Sequence, residues 1–243
     1  MEQDRPHKPT FAEQIIDFNA GIEYRGSLPE GIHIMNPFRD NPYAFPTSSD
    51  FYRKYYNDRN RRRLILGINP GRHGAGLTGV PFTDAKRLEA FCGIPFAGPV
   101  THEPSSVFVY EVIKAFGGPE RFYRHYYIHS VCPLGFTADS ASGKVVNYNY
   151  YDSQALLASV GDFIRENLHK QVSMPVYTDV CICFGTGKNE KYLSALNSKL
   201  GLFGRIIPLE HPRYIMQYKS KDMQHYIQKY LDTFEALVEA GRK

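Results

Sequence analysis

Three polar side chains that could position a ligand each follow an apolar segment of this chain. Asn69 ends one apolar run and precedes a proline, Ser130 ends a second β-rich segment, and His211 follows a third and also precedes a proline. Proline favours extended geometry in the residue before it, so Asn69 is held stiffly. A rigid amide at such a place can hold a water molecule or read a flat polar ring.

Each of these residues also has a purely structural interpretation. Asn69 could be a turn residue that bonds its own backbone, and His211 could be a loop histidine. Phe82 could be a core residue, and Ser130 could cap a turn. Asp84 or Thr83 is more typical of a helix N-cap than of a catalytic acid or base. Rigid polar groups after three separate apolar segments are, however, difficult to explain as turns alone.

The elements that must position these side chains are short apolar strands alternating with helices, a pattern that predicts a parallel sheet covered on both faces. The predicted strands cover residues 64–68, 126–130, 180–184 and 205–209. The predicted helices cover about 10–19, 49–57, 84–92, 105–116, 152–169, 187–200 and 220–240, and residues 26–47 are expected to be irregular. We therefore expect an α/β fold, a three-layer α/β/α sandwich around a mainly parallel four-stranded sheet. Because the carboxyl ends of parallel strands share one edge, the three polar groups can converge there.

Length and composition indicate one domain over residues 1–243, with residues 1–58 as a helical and irregular N-terminal extension packed on it. The chain is 42% hydrophobic and carries a formal net charge of +4, which permits nucleic-acid binding without requiring it. No apolar run is long enough to cross a bilayer, and the first residues lack the apolar region of a secretory signal. We expect a cytoplasmic protein, associated with the nucleoid if the source is bacterial, that binds no membrane.

The cysteines and two charged motifs offer no strong metal or phosphate site. The spacing of the four cysteines indicates buried thiols and gives little support to a zinc or iron–sulfur centre, so no metal is expected. The segment 185–188 has two glycines and a lysine but lacks the other residues of a phosphate-binding loop. The basic cluster 59–63 is either a solvated edge or a contact for DNA phosphates.

Four blocks of the chain, in this order and spread over about residues 60–215, resemble the uracil-DNA glycosylase superfamily. Within it they are most similar to the single-strand-selective monofunctional (SMUG, family 3) type, as a divergent branch. The blocks are residues 64–71, 78–82, 128–134 and 211–212. The segment 67–71 is also similar to mismatch-specific uracil/thymine glycosylases, but His211 favours the SMUG type because those enzymes lack this histidine.

The resemblance implies roles for individual residues. Asn69 corresponds to the residue that positions the water attacking the sugar C1′, and His211 to the imidazole that donates toward the base O2. Phe82 corresponds to the ring that stacks on the extruded base. Ile68 and Gly71 belong to the segment whose main chain contributes to the base pocket. The expected partner is DNA containing deaminated bases, bound by a monomer without a cofactor.

Two features depart from the family pattern. Ser130 stands where SMUG enzymes usually carry asparagine, and a hydroxyl is shorter than an amide that reads the pyrimidine edge with two hydrogen bonds. This difference predicts weaker uracil selectivity and admission of hypoxanthine or xanthine. The wedge that fills the gap in the duplex is shortened, so Arg213 and Tyr214 are the expected DNA-binding residues and either of them could be the one that inserts.

Two other function classes stay open from the sequence. One is a nucleoside or nucleotide hydrolase that acts on free small molecules in the same pocket. The other is a non-catalytic module that binds single strands through its many aromatic residues, which make up 14% of the chain.

Overall fold

A computed structural model describes residues 7–140 and 142–241, which form seven strands and eleven α-helices. The strands are β1 (Ile32–Met35), β2 (Arg62–Gly67), β3 (Tyr126–Ser130), β4 (Gly135–Asp139), β5 (Val145–Tyr148), β6 (Val176–Phe184) and β7 (Arg205–Leu209). The helices are α1 (Phe11–Ala20), α2 (Pro37–Asp40), α3 (Ala44–Tyr56), α4 (Ala75–Thr78), α5 (Ala85–Cys92), α6 (Pro104–Ala115), α7 (Pro119–His125), α8 (Gln154–Val172), α9 (Lys188–Leu200), α10 (Pro212–Tyr218) and α11 (Met223–Ala240), with a 3-10 turn at Ser220–Asp222. Within these described ranges, no helix combines the length and apolar character that a membrane crossing requires.

The main sheet has four parallel strands in the order β3-β2-β6-β7 and is flanked by helices. The predicted three-layer α/β/α fold is therefore confirmed. The predicted ranges of β3 and β7 match the observed strands, whereas β2 and β6 begin earlier than predicted. Every residue of β2 and β3 is buried, as expected for parallel strands covered on both faces. The sheet thus brings the carboxyl ends of β2, β3 and β7 to one edge.

The basic cluster before β2 is partly an internal structure, which corrects the two interpretations offered for it. The Arg62 side chain is buried and donates to both carboxylate oxygens of Asp58. Arg63 is also buried, and its Nη1 donates to both oxygens of Asp179 at 2.9 and 2.8 Å. Because a buried guanidinium without a partner is very costly, these pairs are part of the fold. Arg62 and Arg63 are neither on a solvated edge nor free for DNA phosphates.

A second, three-stranded antiparallel sheet, in the order β1-β4-β5, was not predicted. The expectation that residues 26–47 are irregular is wrong, because they contain β1, α2 and the first turn of α3. Helix α3 begins at Ala44, ahead of its predicted start. Strand β5 is largely exposed, so it lacks the alternation of apolar and polar residues that identifies a half-buried strand. The sheet matters for function because β5 leads into the segment that fixes Asn69.

Helix α1 begins at a capping box formed by Thr10 and Glu13. The Glu13 N–H donates to Thr10 Oγ1 at 3.2 Å, and the Glu13 carboxylate accepts from the Thr10 N–H at 2.7 Å. The first residue of the helix, Phe11, is buried edge-on against Tyr56 of α3 and Tyr127 of β3. These aromatic contacts fix α1 on the parallel sheet.

All four cysteines are buried free thiols, as the sequence indicates. Burial raises the pKa of the Cys132 and Cys183 thiols to about 12, so both stay protonated at neutral pH. The two side chains act as small apolar groups in the core.

Candidate active site

Asn69 lies in the loop after β2, and the backbone beyond β5 holds its side chain. The Asn69 Oδ1 accepts from the Tyr150 N–H at 3.1 Å, and its Nδ2 donates to the Tyr148 carbonyl at 3.2 Å. The contact to the carbonyl of the adjacent Pro70 is longer, at 3.4 Å. The side chain is therefore not simply bonding its own turn. An amide oxygen has two lone pairs, so Oδ1 can still accept a hydrogen bond from a water molecule.

His211 is the residue before α10, and its ring is held as a neutral hydrogen-bond donor. Its Nδ1 accepts from the Arg213 N–H at 3.1 Å, which places the ring proton on Nε2. Burial and, to a smaller extent, the Arg213 charge lower the pKa of His211 to about 4. The imidazole is therefore neutral at physiological pH, and Nε2–H is available to donate to a ligand.

Phe82 has the only left-handed backbone among the described non-glycine residues, with φ of 53°. Its ring packs edge-on against Phe184 with centroids 5.4 Å apart, and its centroid lies 5.6 Å from that of His211. A Cβ on Gly67 would lie only 2.8 Å from Phe82 Cε2, so glycine is needed there for the ring to lie on the end of β2. Strained backbone of this kind costs about 1–3 kcal/mol and is concentrated at functional sites.

Ser130 ends β3 beside Gly67 of β2 in the parallel register. The Ser130 residue is buried, and its carbonyl accepts from Gln171 Nε2 at 3.2 Å. The neighbouring His129 points elsewhere, because its ring packs edge-on against Phe18 in the core. The strand end thus presents Ser130, and not His129, to the site.

These side chains surround one cavity of about 250 Å³. Seven of the eight residues predicted to form the site line it: Ile68, Asn69, Gly71, Phe82, Ser130, His211 and Arg213. This volume is below the roughly 300–1,000 Å³ that is typical of sites for drug-sized ligands. The cavity therefore suits a ligand about the size of a single small ring system.

Tyr214, the eighth predicted residue, does not line the cavity. It is 44% exposed on α10, and its ring centroid lies 5.5 Å from that of Tyr218. Arg213 is exposed as well and is itself one of the residues that line the cavity. The first turn of α10 thus presents a cation and an aromatic pair beside the cavity.

Seven further residues line the cavity and were not predicted from the sequence: Pro70, Ala75, Pro81, Glu103, Ser105, Asn147 and Asn149. Asn147 lies in β5, and its Oδ1 accepts from the Arg72 N–H at 3.1 Å. No sequence signal pointed to this residue, because β5 itself was not predicted. Glu103 did carry a sequence signal, because it directly precedes the proline that begins α6 and glutamate is not a preferred N-cap residue. A glutamate at this position is therefore a candidate for a role other than capping.

Asp84 is a helix N-cap, as predicted. Its Oδ1 accepts from the Arg87 N–H at 3.0 Å at the start of α5, and its Oδ2 accepts from the Glu103 N–H at 3.0 Å. Across residues 7–140 and 142–241, the structure contains no group of three or more His, Cys, Asp or Glu side chains that could hold a metal ion.

Comparison with known proteins identifies relatives over most of the chain. The profile of the uracil DNA glycosylase superfamily matches residues 53–235. The single-strand selective monofunctional uracil-DNA glycosylase of Rattus norvegicus is 28% identical over 148 residues, which are 54% of this chain and 51% of the relative. The corresponding protein of Mus musculus is 27% identical over 150 residues, again 54% and 51% of the two chains. The chain thus spans about half the length of the curated relatives that it matches.

A solved structure is similar over almost the whole chain. The crystal structure of wild-type SMUG2 of Pedobacter heparinus is 55% identical and superimposes with a TM-score of 0.92. The match covers 95% of this chain and 99% of that chain.

Proposed function

Because the chain belongs to the uracil DNA glycosylase superfamily, we propose that it is a monofunctional glycosylase that hydrolyses the N-glycosidic bond of uracil in DNA. The observation that carries this proposal is the meeting of Asn69 and His211, from distant parts of the chain, in the wall of one small cavity. The names of its relatives support the same activity.

The cavity offers the two groups that this hydrolysis needs. Breaking an N-glycosidic bond leaves a base anion and an oxocarbenium-like sugar, so the reaction requires an oriented donor and a placed water. The Nε2–H of the neutral His211 donates to the oxygen on which negative charge develops. The fixed Oδ1 of Asn69 holds the water that attacks C1′. The reaction consumes only water, so we propose no cofactor.

The base enters the cavity after it leaves the DNA stack. Extrusion costs a few kcal/mol and is easiest for a mispaired or single-stranded base. The Phe82 ring, held in place by Gly67 and Phe184, stacks on the extruded base, and Ile68 and Gly71 border it with their main chain. We propose that Arg213 contacts the DNA backbone and that the exposed Tyr214 fills the gap left in the strand.

Ser130 sets the range of bases in this proposal. Its hydroxyl is shorter than the amide that usually occupies this place in SMUG enzymes, so more space remains at the base edge. Hypoxanthine and xanthine, which are larger than uracil, are proposed as further substrates. A water molecule bound by the hydroxyl can fill the remaining space when uracil is bound.

Release of uracil from DNA and from free deoxyuridine tests the function. A single-stranded oligonucleotide with one uracil is incubated with the protein, and abasic sites are detected by alkaline cleavage. Abasic sites in the oligonucleotide without hydrolysis of deoxyuridine support the proposal. Hydrolysis of deoxyuridine alone identifies a nucleoside hydrolase, and binding of the oligonucleotide without base release identifies a non-catalytic binding module.

A further inference from the structure

Glu103 lies in the wall of the cavity, and its carboxyl group neither caps a helix nor has a hydrogen-bond partner for Oε2 among the described residues. It is the N-cap residue of α6, but its side chain makes no capping hydrogen bond. Its Oε2 is buried and has no hydrogen-bond partner among residues 7–140 and 142–241. Most buried polar atoms in proteins are paired, so an unpaired one in a cavity wall indicates a partner that arrives with the ligand or with water.

The carboxyl group of Glu103 packs against the loop that follows β2 and contains Asn69. A Cβ on Gly74 would overlap Glu103 Oε2, and a Cβ on Gly71 would lie 3.8 Å from Oε1. Only glycine at position 74 leaves space for the carboxyl group. The carboxyl group therefore lies against the 71–74 segment that follows Asn69, and both side chains line the same cavity.

The charges around Glu103 keep it close to half-ionised at neutral pH. Burial and, to a smaller extent, the Asp84 carboxylate raise the pKa of Glu103 to about 7, and the Arg213 charge opposes both effects. Arg72 and His73 belong to the glycine-flanked loop packed against the carboxyl group. A group with a pKa near the working pH is well suited to proton transfer.

We propose that Glu103 is a third catalytic residue, which accepts a proton from the water held by Asn69 as that water adds to C1′. The inference rests on the proposed glycosylase function and deepens it. The water oxygen forms a bond to C1′ while the bond from C1′ to the base nitrogen breaks. The electron pair of that bond leaves with the base, whose negative charge His211 stabilises. One proton of the water moves to the Glu103 carboxylate. It then passes through solvent to the departing base, which leaves as the neutral base.

The dependence of the rate on pH tests this role. Single-turnover release of uracil from a single-stranded oligonucleotide is measured between pH 5.5 and 8.0. The wild-type rate is expected to rise about 30-fold, the ratio of ionised fractions for a carboxyl group with a pKa of about 7. His211, with a pKa of about 4, stays neutral over this range and adds no slope.

Glu103→Gln keeps the shape of the side chain and removes the proton acceptor. We expect this variant to be about 10²-fold slower at pH 8.0 and to have a flat profile. Glu103→Asp should recover part of the rate together with the rise toward higher pH. Glu111→Gln on the same helix, which does not line the cavity, is the matched control and should follow the wild type.

The possible results separate the two proposals. A flat wild-type profile, a Gln variant that keeps the rise, or a Gln variant as fast as the wild type would each overturn the role of Glu103 and leave the glycosylase function standing. No base release by the wild type from any uracil-containing oligonucleotide would overturn the proposed function and this inference together. Thermal unfolding of each variant verifies that it is folded.

Discussion

The raised pKa of Glu103 predicts a change in stability that can be measured without substrate. Burial and Asp84 raise the pKa from 4.5 to about 7 in the folded chain. Between these two values the folded state binds more protons than the unfolded state, so stability falls as pH rises. A rise in pKa from 4.5 to about 7 corresponds to about 3.4 kcal/mol, which is an upper bound because part of the side chain contacts solvent. Glu103→Gln should abolish this loss.

The test compares the free energies of unfolding of Glu103→Gln and wild type by urea denaturation at pH 5.0 and 8.0. The free energy of unfolding of the variant, relative to that of the wild type, should be about 1–2.5 kcal/mol higher at pH 8.0 than at pH 5.0. Glu111→Gln, which makes the same change on the same helix outside the cavity, is the matched control. An equal difference between Glu103→Gln and wild type at the two pH values would refute the reasoning, because it would mean that Glu103 titrates like an exposed carboxyl group.

Two further predictions concern the walls of the base pocket. Gly67→Ala should leave the chain folded but displace the Phe82 ring, because the added Cβ would lie 2.8 Å from it. Stacking of a base on an aromatic ring is worth about 1–3 kcal/mol, so uracil release should slow about 5- to 150-fold in single-turnover assays. An unchanged rate would show that the Phe82 ring does not hold the base. Ser130→Asn should retain uracil release and slow release of hypoxanthine and xanthine about tenfold, since the longer amide fills the base edge. An unchanged ratio of the release rates of the three bases would show that residue 130 does not determine which bases are released.

The parts of the fold that the sequence revealed are those with strong local signals. The strands of the parallel sheet are continuous apolar runs because they are covered on both faces, and proline after Asn69 and His211 marks where two of the chain's apolar runs end. Parallel strands place these ends at one edge, so the convergence of the two residues followed from the predicted sheet, and their roles followed from the family resemblance. Both residues were therefore predictable.

The parts that the sequence did not reveal depend on contacts between distant segments. Strand β5 is exposed and carries no periodic signal, yet the backbone that follows it fixes the amide of Asn69. The position of Glu103 depends on Gly74, far from it in sequence, which leaves space for the carboxyl group. Arg63 had the appearance of a surface residue, because its acidic partner Asp179 becomes a neighbour only in the folded chain.

In the proposed function, Asn69 and His211 act together on one base in one cavity: Asn69 holds the attacking water and His211 donates to the departing base. The most direct test is the single-turnover rate of uracil release by Asn69→Ala and His211→Ala, with Asn60→Ala and His169→Ala as exposed controls. Loss of a preorganised donor costs about 10²–10³ in rate, so each site variant should lose at least about 10²-fold while both controls match the wild type. Folded site variants that release uracil as fast as the wild type would contradict the account.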